Sequence, residues 1–475
     1  MKQFLNYVDG EWTGGSGVTL NVNPSDTSDV VGEFADATIK QVEAALAAAR
    51  QALPAWRATT PSVRGEILSK VAAELSARRE ELGELLSREE GKVRADGIAE
   101  VGRAAQVFAF FAGETIRSGG EKIASVRPNV DVEITRHPVG VVGIITPWNF
   151  PIAIPAWKIA PALAFGNTVV VKPSELVPAS VWQIADILAR AGLPKGVFNL
   201  VMGEGAKIGP TLIDGVDALT FTGSVPTGRR IAAQAATKMT KLQLELGGKN
   251  PMVVLDDADL ETAVSCALNS SFFQTGQRCT ASSRIIVTAG IHDRFVSTLQ
   301  TRMAALKVDH ALKAGTDIGP VVDQRQLNVD LKYIDIGDSE GAKRFGGEML
   351  KRETNGFYLS PALFTETNNK MRINREEIFG PVATVIRVKD YDEALATAND
   401  TDFGLSAGIC TTSLKYARHF QANAQAGLTM VNLPTAGIDY HVPFGGTKAS
   451  GFGPREQGRS SAEFYTFTRT SYVSS

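Results

Sequence analysis

The sequence is short of the residues that several common kinds of site require. Three cysteines (Cys266, Cys279 and Cys410) are too few and too widely spaced for a disulfide framework, and they fit a reducing compartment. Five histidines are scattered without ligand spacing, so no metal site is expected. No apolar run is long enough to span a membrane, and the opening MKQFLNYVDGEW lacks the apolar stretch of a signal peptide. A cytoplasmic location is the expectation. A formal net charge of −2 gives no electrostatic case for nucleic acid or an acidic membrane as partner. There is no Gly-Lys-Ser/Thr phosphate loop, no internal repeat and no low-complexity tract.

What is present is a globular chain, 44% hydrophobic and 21% charged. Its 475 residues are too many for one ordinary core, so two or three domains are expected. Residues 1–35 read as strands and turns. From Asp36 the apolar period becomes helical: Ile39, Val42, Leu46 and Ala49 share a face, and further helices fit 62–76, 79–90 and 98–116. These helices read as a structural layer and not as part of a site. Within 119–136, Val130, Val132 and Ile134 alternate with Asp131, Glu133 and Thr135. This is the pattern of a half-buried strand in a protruding hairpin, a candidate subunit contact.

Between Val139 and Leu246, apolar strands at 141–145, 168–171, 198–201, 218–221 and 242–246 alternate with helices, two of which close at Gly166 and Gly192. Such β-α-β units predict a parallel, doubly wound sheet whose ligands lie at the carboxyl ends of its strands. A second α/β region starts near Pro251, with Cys266 on its first helix and Cys410 in a strand, both read as packing. The final AEFYTFTRTSYV reads as a terminal strand, available for addition to another subunit's sheet.

Five segments carry candidate chemistry. Cys279 lies in a loop, FFQTGQRCTASSR, just past Gly276. Beside Arg278 it is expected to be accessible and to keep thiolate character, the form that attacks a carbonyl carbon, although a lone cysteine also suits core packing. Asn149, in the proline-fenced turn 146–151, is either a turn former or an amide donor for an oxyanion. Lys172 and Glu175 are either a solvated pair or partners of ribose hydroxyls. Glu175 would repel a 2′-phosphate and Lys172 would tolerate one, which leans to NAD and leaves NADP open. The glycine turn in 221–229 leads into a helix, an arrangement that suits a pyrophosphate although it is not a strict G-x-G-x-x-G. Glu245, between Leu244 and Leu246, is either structurally paired or raised in pKa towards that of a general base.

Seven stretches occur together: PWNFP, AWKIAPALAFGNTVVVKPSE, FTGSVPTGR, LELGGKNP, FFQTGQRCTA, EEIFGP and PFGGTKASG. In order and spacing they resemble the aldehyde dehydrogenase superfamily over essentially the whole chain. The resemblance implies an α/β fold with a Rossmann-like NAD(P)-binding domain (1–118, 138–250 and 444–458). A second α/β catalytic domain (251–443) and a small β oligomerisation region (119–137 and 459–475) would complete dimers or tetramers. It implies that Cys279 is the nucleophile, Glu245 the general base, and Asn149 with the Cys279 N–H the oxyanion hole, with Lys158 in a proton relay. Thr146, Pro147, Trp148, Leu246 and Ser174 would lie with the cofactor. Lys172 and Glu175 would hold its adenine ribose, Gly223 and Ser224 its pyrophosphate, and Glu377 and Phe379 its nicotinamide ribose and ring. Phe150, Trp157, Arg278 and Phe444 would line the substrate tunnel.

The implied reaction oxidises an aldehyde to an acid through a cysteine thioester, with NAD as cofactor and NADP as the alternative. A relative that hands the acyl group to coenzyme A would need no water-activating carboxylate, so Glu245 favours hydrolysis. Residues 177–203, 276–287 and 430–446 are most similar to the bacterial branch acting on α-ketoglutaric semialdehyde (2,5-dioxopentanoate). Succinate semialdehyde or broad aliphatic aldehydes are the alternatives. Trp157 stands where some succinate semialdehyde dehydrogenases carry an arginine, and Arg278 is the first candidate for the distal carboxylate of the substrate.

Overall fold

The computed structural model describes residues 3–117 and 119–474. Met1, Lys2, Ser118 and Ser475, which the expected domain ranges include, lie outside the described residues.

The alternating apolar segments form an eight-stranded sheet. Its middle five strands are Lys241–Glu245, Ala218–Thr222, Val141–Ile145, Thr168–Lys172 and Phe198–Leu200, in that spatial order and all parallel. Both faces are covered, so Thr168–Lys172 is buried at every position and continuous apolar runs replace alternation. Antiparallel strands close the edges: Gly451–Phe452 beside Lys241–Glu245 on one side, and Asn6–Val8 then Glu11–Thr13 beyond Phe198–Leu200 on the other. Strand order reverses at Val141–Ile145, which opens a crevice at the carboxyl ends. The register levels those ends, pairing Thr222 with Glu245 and Ile145 with Lys172. Gly166 and Gly192, where two connecting helices stop, have φ of +85° and +91°.

Five residues after Glu245 the chain enters a second, seven-stranded sheet at Asn250–Val254. Ser282–Thr288 and Val382–Val388 lie parallel on one side of that strand and Ser406–Cys410 on the other. Cys279 precedes Ser282–Thr288, so the cysteine loop sits at the amino-terminal edge of this sheet and faces the carboxyl-terminal edge of the first. The helices Ile39–Ala58, Pro61–Ala77, Arg79–Glu90 and Arg94–Glu114 pack outside the first sheet. Thr38 and Gln41 form a reciprocal capping box that starts the first of them.

The closing strand differs from the reading given above. Thr466–Ser474 pairs with Val130–Pro138 of the same chain, from Thr466 opposite Pro138 to Ser474 opposite Val130, and Glu121–Ala124 flanks the other side. Its alternation marks it as a strand and leaves its partner open, and nine paired residues within the chain supply one. No helix among the described residues is long and apolar enough to cross a membrane.

Arg284 pins the second sheet. It is fully buried, and its guanidinium donates to the carbonyls of Lys249, Thr397 and Ala398 and to Asn369 Oδ1, each at 3.0 Å. Arg284→Met orphans four acceptors, two buried and two half-buried, the buried ones at about 1–3 kcal/mol each. It should therefore lower the urea midpoint by at least about 3 kcal/mol of stability, while Arg230→Met on the surface stays within about 0.5 kcal/mol. Equal midpoints for the two variants would contradict this assignment.

Candidate active site

Two cavities meet at one side chain. One, of about 460 Å³, is lined by Phe150, Trp157, Arg278 and Phe444. The other, of about 270 Å³, is lined by Pro147, Trp148, Asn149, Gly223, Ser224, Leu246, Glu377 and Phe379. Cys279 lies on the wall of both.

The loop that presents Cys279 is strained and held from several sides. After the helix Leu260–Phe272, Gln274 (φ +54°), Thr275 (+58°) and Gly276 (+66°) are successively left-handed. Such residues persist only where their surroundings over-determine them. Thr275 Oγ1 donates to the Gly319 and Pro320 carbonyls, and Gln277 Oε1 accepts from Val322 N at 2.9 Å. Asn250 Nδ2 donates to the carbonyls of Cys279 and Ala281, both at 2.8 Å. A Cβ at position 276 would fall 2.2 Å from the Gly380 carbonyl oxygen, so only glycine fits there.

The thiol departs from expectation. Cys279 is half-buried, and its pKa is pushed up to about 12, by burial first and then by the Glu245 and Glu377 carboxylates. The N–H groups of Thr280 and Cys279 oppose this only in part. Arg278 does not keep the sulfur ionised. It is itself buried, its pKa drawn down to about 10, and it donates to the Asn269 carbonyl.

Asn149 Nδ2 stands 3.0 Å from the Gln277 carbonyl, beside the thiol. Its own carbonyl accepts from Lys92 Nζ at 2.7 Å, and Lys92 also pairs with Glu100 at 2.7 Å. Glu100 in turn accepts the N–H groups of Ile152 and Ala153. The helices read as a structural layer therefore hold this turn, and Asp96, Ala99, Glu100 and Arg103 line the larger cavity. Their polar positions match an ordinary solvated helix face, and no local signal separates the two.

Glu245 lines neither cavity. Its carboxyl accepts from Gly446 N, one oxygen is buried without a partner, and its pKa is raised by burial first and then by Glu456. Lys158 and Arg455 pull the other way. Lys158 is fully buried, ion-paired to Glu456 and bonded to Thr220 Oγ1 at 2.7 Å. Glu456, 298 residues from Lys158, escaped the sequence reading because nothing local distinguishes it in GPREQG.

Of the residues read as touching cofactor, the structure places Trp148 and Phe379 edge to face at 5.3 Å, with Phe379 left-handed at φ +66°. Glu377 accepts from Gly248 N at 2.8 Å and is pushed up to about 7 by burial. Thr146, Lys172, Ser174 and Glu175 lie outside the smaller cavity. Lys172 Nζ is 2.9 Å from Glu175. Burial works against the Glu175 carboxylate, but the Lys172 charge holds it below the ordinary carboxylate range. Ser224 precedes a helix, Val225–Ala236, without capping it by its side chain, leaving first-turn N–H groups for an anion.

Two facing α/β sheets, with a cysteine at the joint of two cavities, define a two-lobed α/β protein with a thiol in its cleft. More narrowly, the chain belongs to the aldehyde dehydrogenase family, whose model matches residues 12–471. It is similar to alpha-ketoglutaric semialdehyde dehydrogenase of Bacillus subtilis, with 43% identity covering 99% of this chain and 98% of that one. Alpha-ketoglutarate semialdehyde dehydrogenase of Haloferax volcanii is 44% identical over the same shares. Betaine aldehyde dehydrogenase of Staphylococcus aureus, solved in complex with NAD+, superposes with a TM-score of 0.97 at 35% identity. That match covers 99% of this chain and 95% of the other.

With the thiol raised to about 12, thiolate in the ligand-free protein should increase about tenfold per pH unit across the neutral and mildly alkaline range. Alkylation of Cys279 by iodoacetamide is therefore expected to rise log-linearly from pH 7 to 10. A plateau below pH 9 would show a thiol less perturbed than this geometry requires.

Proposed function

We propose that the protein oxidises an aldehyde to a carboxylic acid with NAD, and that α-ketoglutaric semialdehyde is the substrate. The observation that carries the reading is that a single thiol, Cys279, is shared by two cavities of different character. The smaller cavity suits the nicotinamide and pyrophosphate part of a dinucleotide. It lies at the switch point of a parallel sheet, it has a glycine turn and an uncapped helix start in Gly223 and Ser224, and Trp148, Glu377 and Phe379 stand beside the thiol. The chemistry that a nicotinamide dinucleotide supplies there is hydride acceptance.

The remaining work falls to this chain. Cys279 Sγ adds to the carbonyl carbon after losing its proton to solvent hydroxide. Asn149 Nδ2, released from the Gln277 carbonyl, and the Cys279 N–H donate to the developing oxyanion, where one such donor is worth about 3–4 kcal/mol. Oxidation leaves an acyl thioester on Cys279. Glu245 takes the proton of the water that hydrolyses it, and its raised pKa suits it to that task. Glu245 must turn away from Gly446 to reach the sulfur. Lys158 and Glu456 form a buried polar route by which its proton leaves.

The substrate choice rests on the two semialdehyde-dehydrogenase relatives at 43% and 44% identity. The three unpaired cysteines suit a cytoplasmic setting. Ile123, Phe467, Tyr472 and Val473 stand exposed on the three-stranded sheet and support a homo-oligomer through that surface.

Purified protein should form NADH with α-ketoglutaric semialdehyde, and Cys279→Ala should abolish it. Glu245→Gln should keep a stoichiometric burst of NADH while steady-state turnover falls about 10²–10⁴-fold. Loss of the burst together with turnover would assign Glu245 to an earlier step. Light scattering should give a mass that is a multiple of the 50.7 kDa chain, and Tyr472→Asp should lower it. A wild-type monomer would remove the oligomer reading.

A further inference from the structure

The larger cavity carries four charged residues on its wall: Asp96, Glu100, Arg103 and Arg278. Three of them are already balanced. Glu100 is ion-paired with Lys92 at 2.7 Å and also accepts two backbone N–H groups. Asp96 acts electrostatically on both Arg278 and Lys92. Arg278 is buried and turned towards the Asn269 carbonyl. Glu90, 3.8 Å from Lys92, belongs to the same buried group, and burial pushes it up to about 8. Arg103 is different. It has no hydrogen-bond or ion-pair partner among the described residues, and its only close contact of this kind is the Tyr440 ring, 5.8 Å from its Cζ.

The position of Arg103 follows from the helix. Asp96, Ala99, Glu100 and Arg103 recur at three- and four-residue steps on one face of Arg94–Glu114, so Arg103 lies two turns along from Asp96. Its opposite face, with Val101, Ala104, Ala105 and Phe108, is in the core and fixes the rotation of the helix. A guanidinium over an aromatic face keeps its in-plane N–H groups free for a carboxylate fork. Tyr440 is itself held edge to face by Phe110 at 6.0 Å, so the platform is supported.

We propose that Arg103 receives the anionic end of the substrate and makes the cavity selective for aldehydes that end in a carboxylate. This rests on the reading that the larger cavity holds the aldehyde. It also moves the distal anchor from Arg278, whose terminal nitrogens are turned to Asn269 while its Nε is buried without a partner, to a helix that read as purely structural.

The test compares two four-carbon aldehydes, succinate semialdehyde with a terminal carboxylate and butanal without one, on wild type, Arg103→Gln and Arg103→Lys. Wild type should favour the carboxylated aldehyde. Arg103→Gln should lose at least about tenfold in kcat/KM on it, chiefly through KM, and change less than about twofold on butanal. Arg103→Lys should recover part of the loss, because it keeps the charge and not the fork. Unchanged butanal activity also shows that the variant is folded. Equal losses on both aldehydes, a preference that survives Arg103→Gln, or a wild type that prefers butanal would overturn the proposal while leaving aldehyde oxidation standing. Absence of NADH formation from every aldehyde with wild type would instead sink the functional reading itself.

Discussion

The amide of Asn250 is the interaction on which the arrangement depends. Its nitrogen donates to the carbonyls of Cys279 and Ala281, and its oxygen accepts from Ser406 N at 2.9 Å. One buried side chain thus ties the cysteine loop to two strands of the second sheet. The same residue follows Glu245 by only five positions and a direct link, so the cysteine loop is anchored where the two sheets join. The link passes because it is glycine. A Cβ at Gly247 would fall 2.1 Å from the Glu377 carboxylate, and one at Gly248 would fall 2.9 Å from the Cys279 carbonyl oxygen. The carboxyl-terminal edge of one sheet and the amino-terminal edge of the other are thereby held face to face, with Cys279 between two cavities.

Burial at this joint governs the electrostatics. Desolvation penalises whichever form of a group is charged, so Cys279, Glu245 and Glu377 all move upward and Arg278 moves downward. A thiol raised in this way is a weak nucleophile until it loses its proton. Two buried ion pairs lie beside this joint, Lys158 with Glu456 and Lys92 with Glu100. Lys92 also grips the Asn149 carbonyl, so one buried pair positions the turn that carries the amide donor.

Much of the fold was legible along the chain. The five strands between Val139 and Leu246 fall within a residue or so of their expected places, because apolar runs bounded by glycine turns are a local signal. The helix face at Asp96, Glu100 and Arg103 was misread, because periodicity separates polar from apolar positions without saying what the polar ones face. The closing strand was legible as a strand and its pairing was not, since alternation describes exposure and not partners. Cys279 was found by its motif, yet its protonation was misjudged, because Arg278 is a neighbour in sequence and not in effect.

By itself, then, the sequence determined the order of strands and helices, the glycine positions that allow tight turns, and the motifs that mark the cysteine loop and the sheet ends. These are properties of neighbouring residues, governed by backbone sterics and side-chain period. Only the tertiary structure decided that the cysteine is held as a thiol, that Glu245 rests against Gly446 beside Glu456, and that one arginine on an outer helix reaches the cavity unpaired. Desolvation and charge pairing are summed over surroundings that residues hundreds of positions apart assemble together, and no stretch of chain carries that sum.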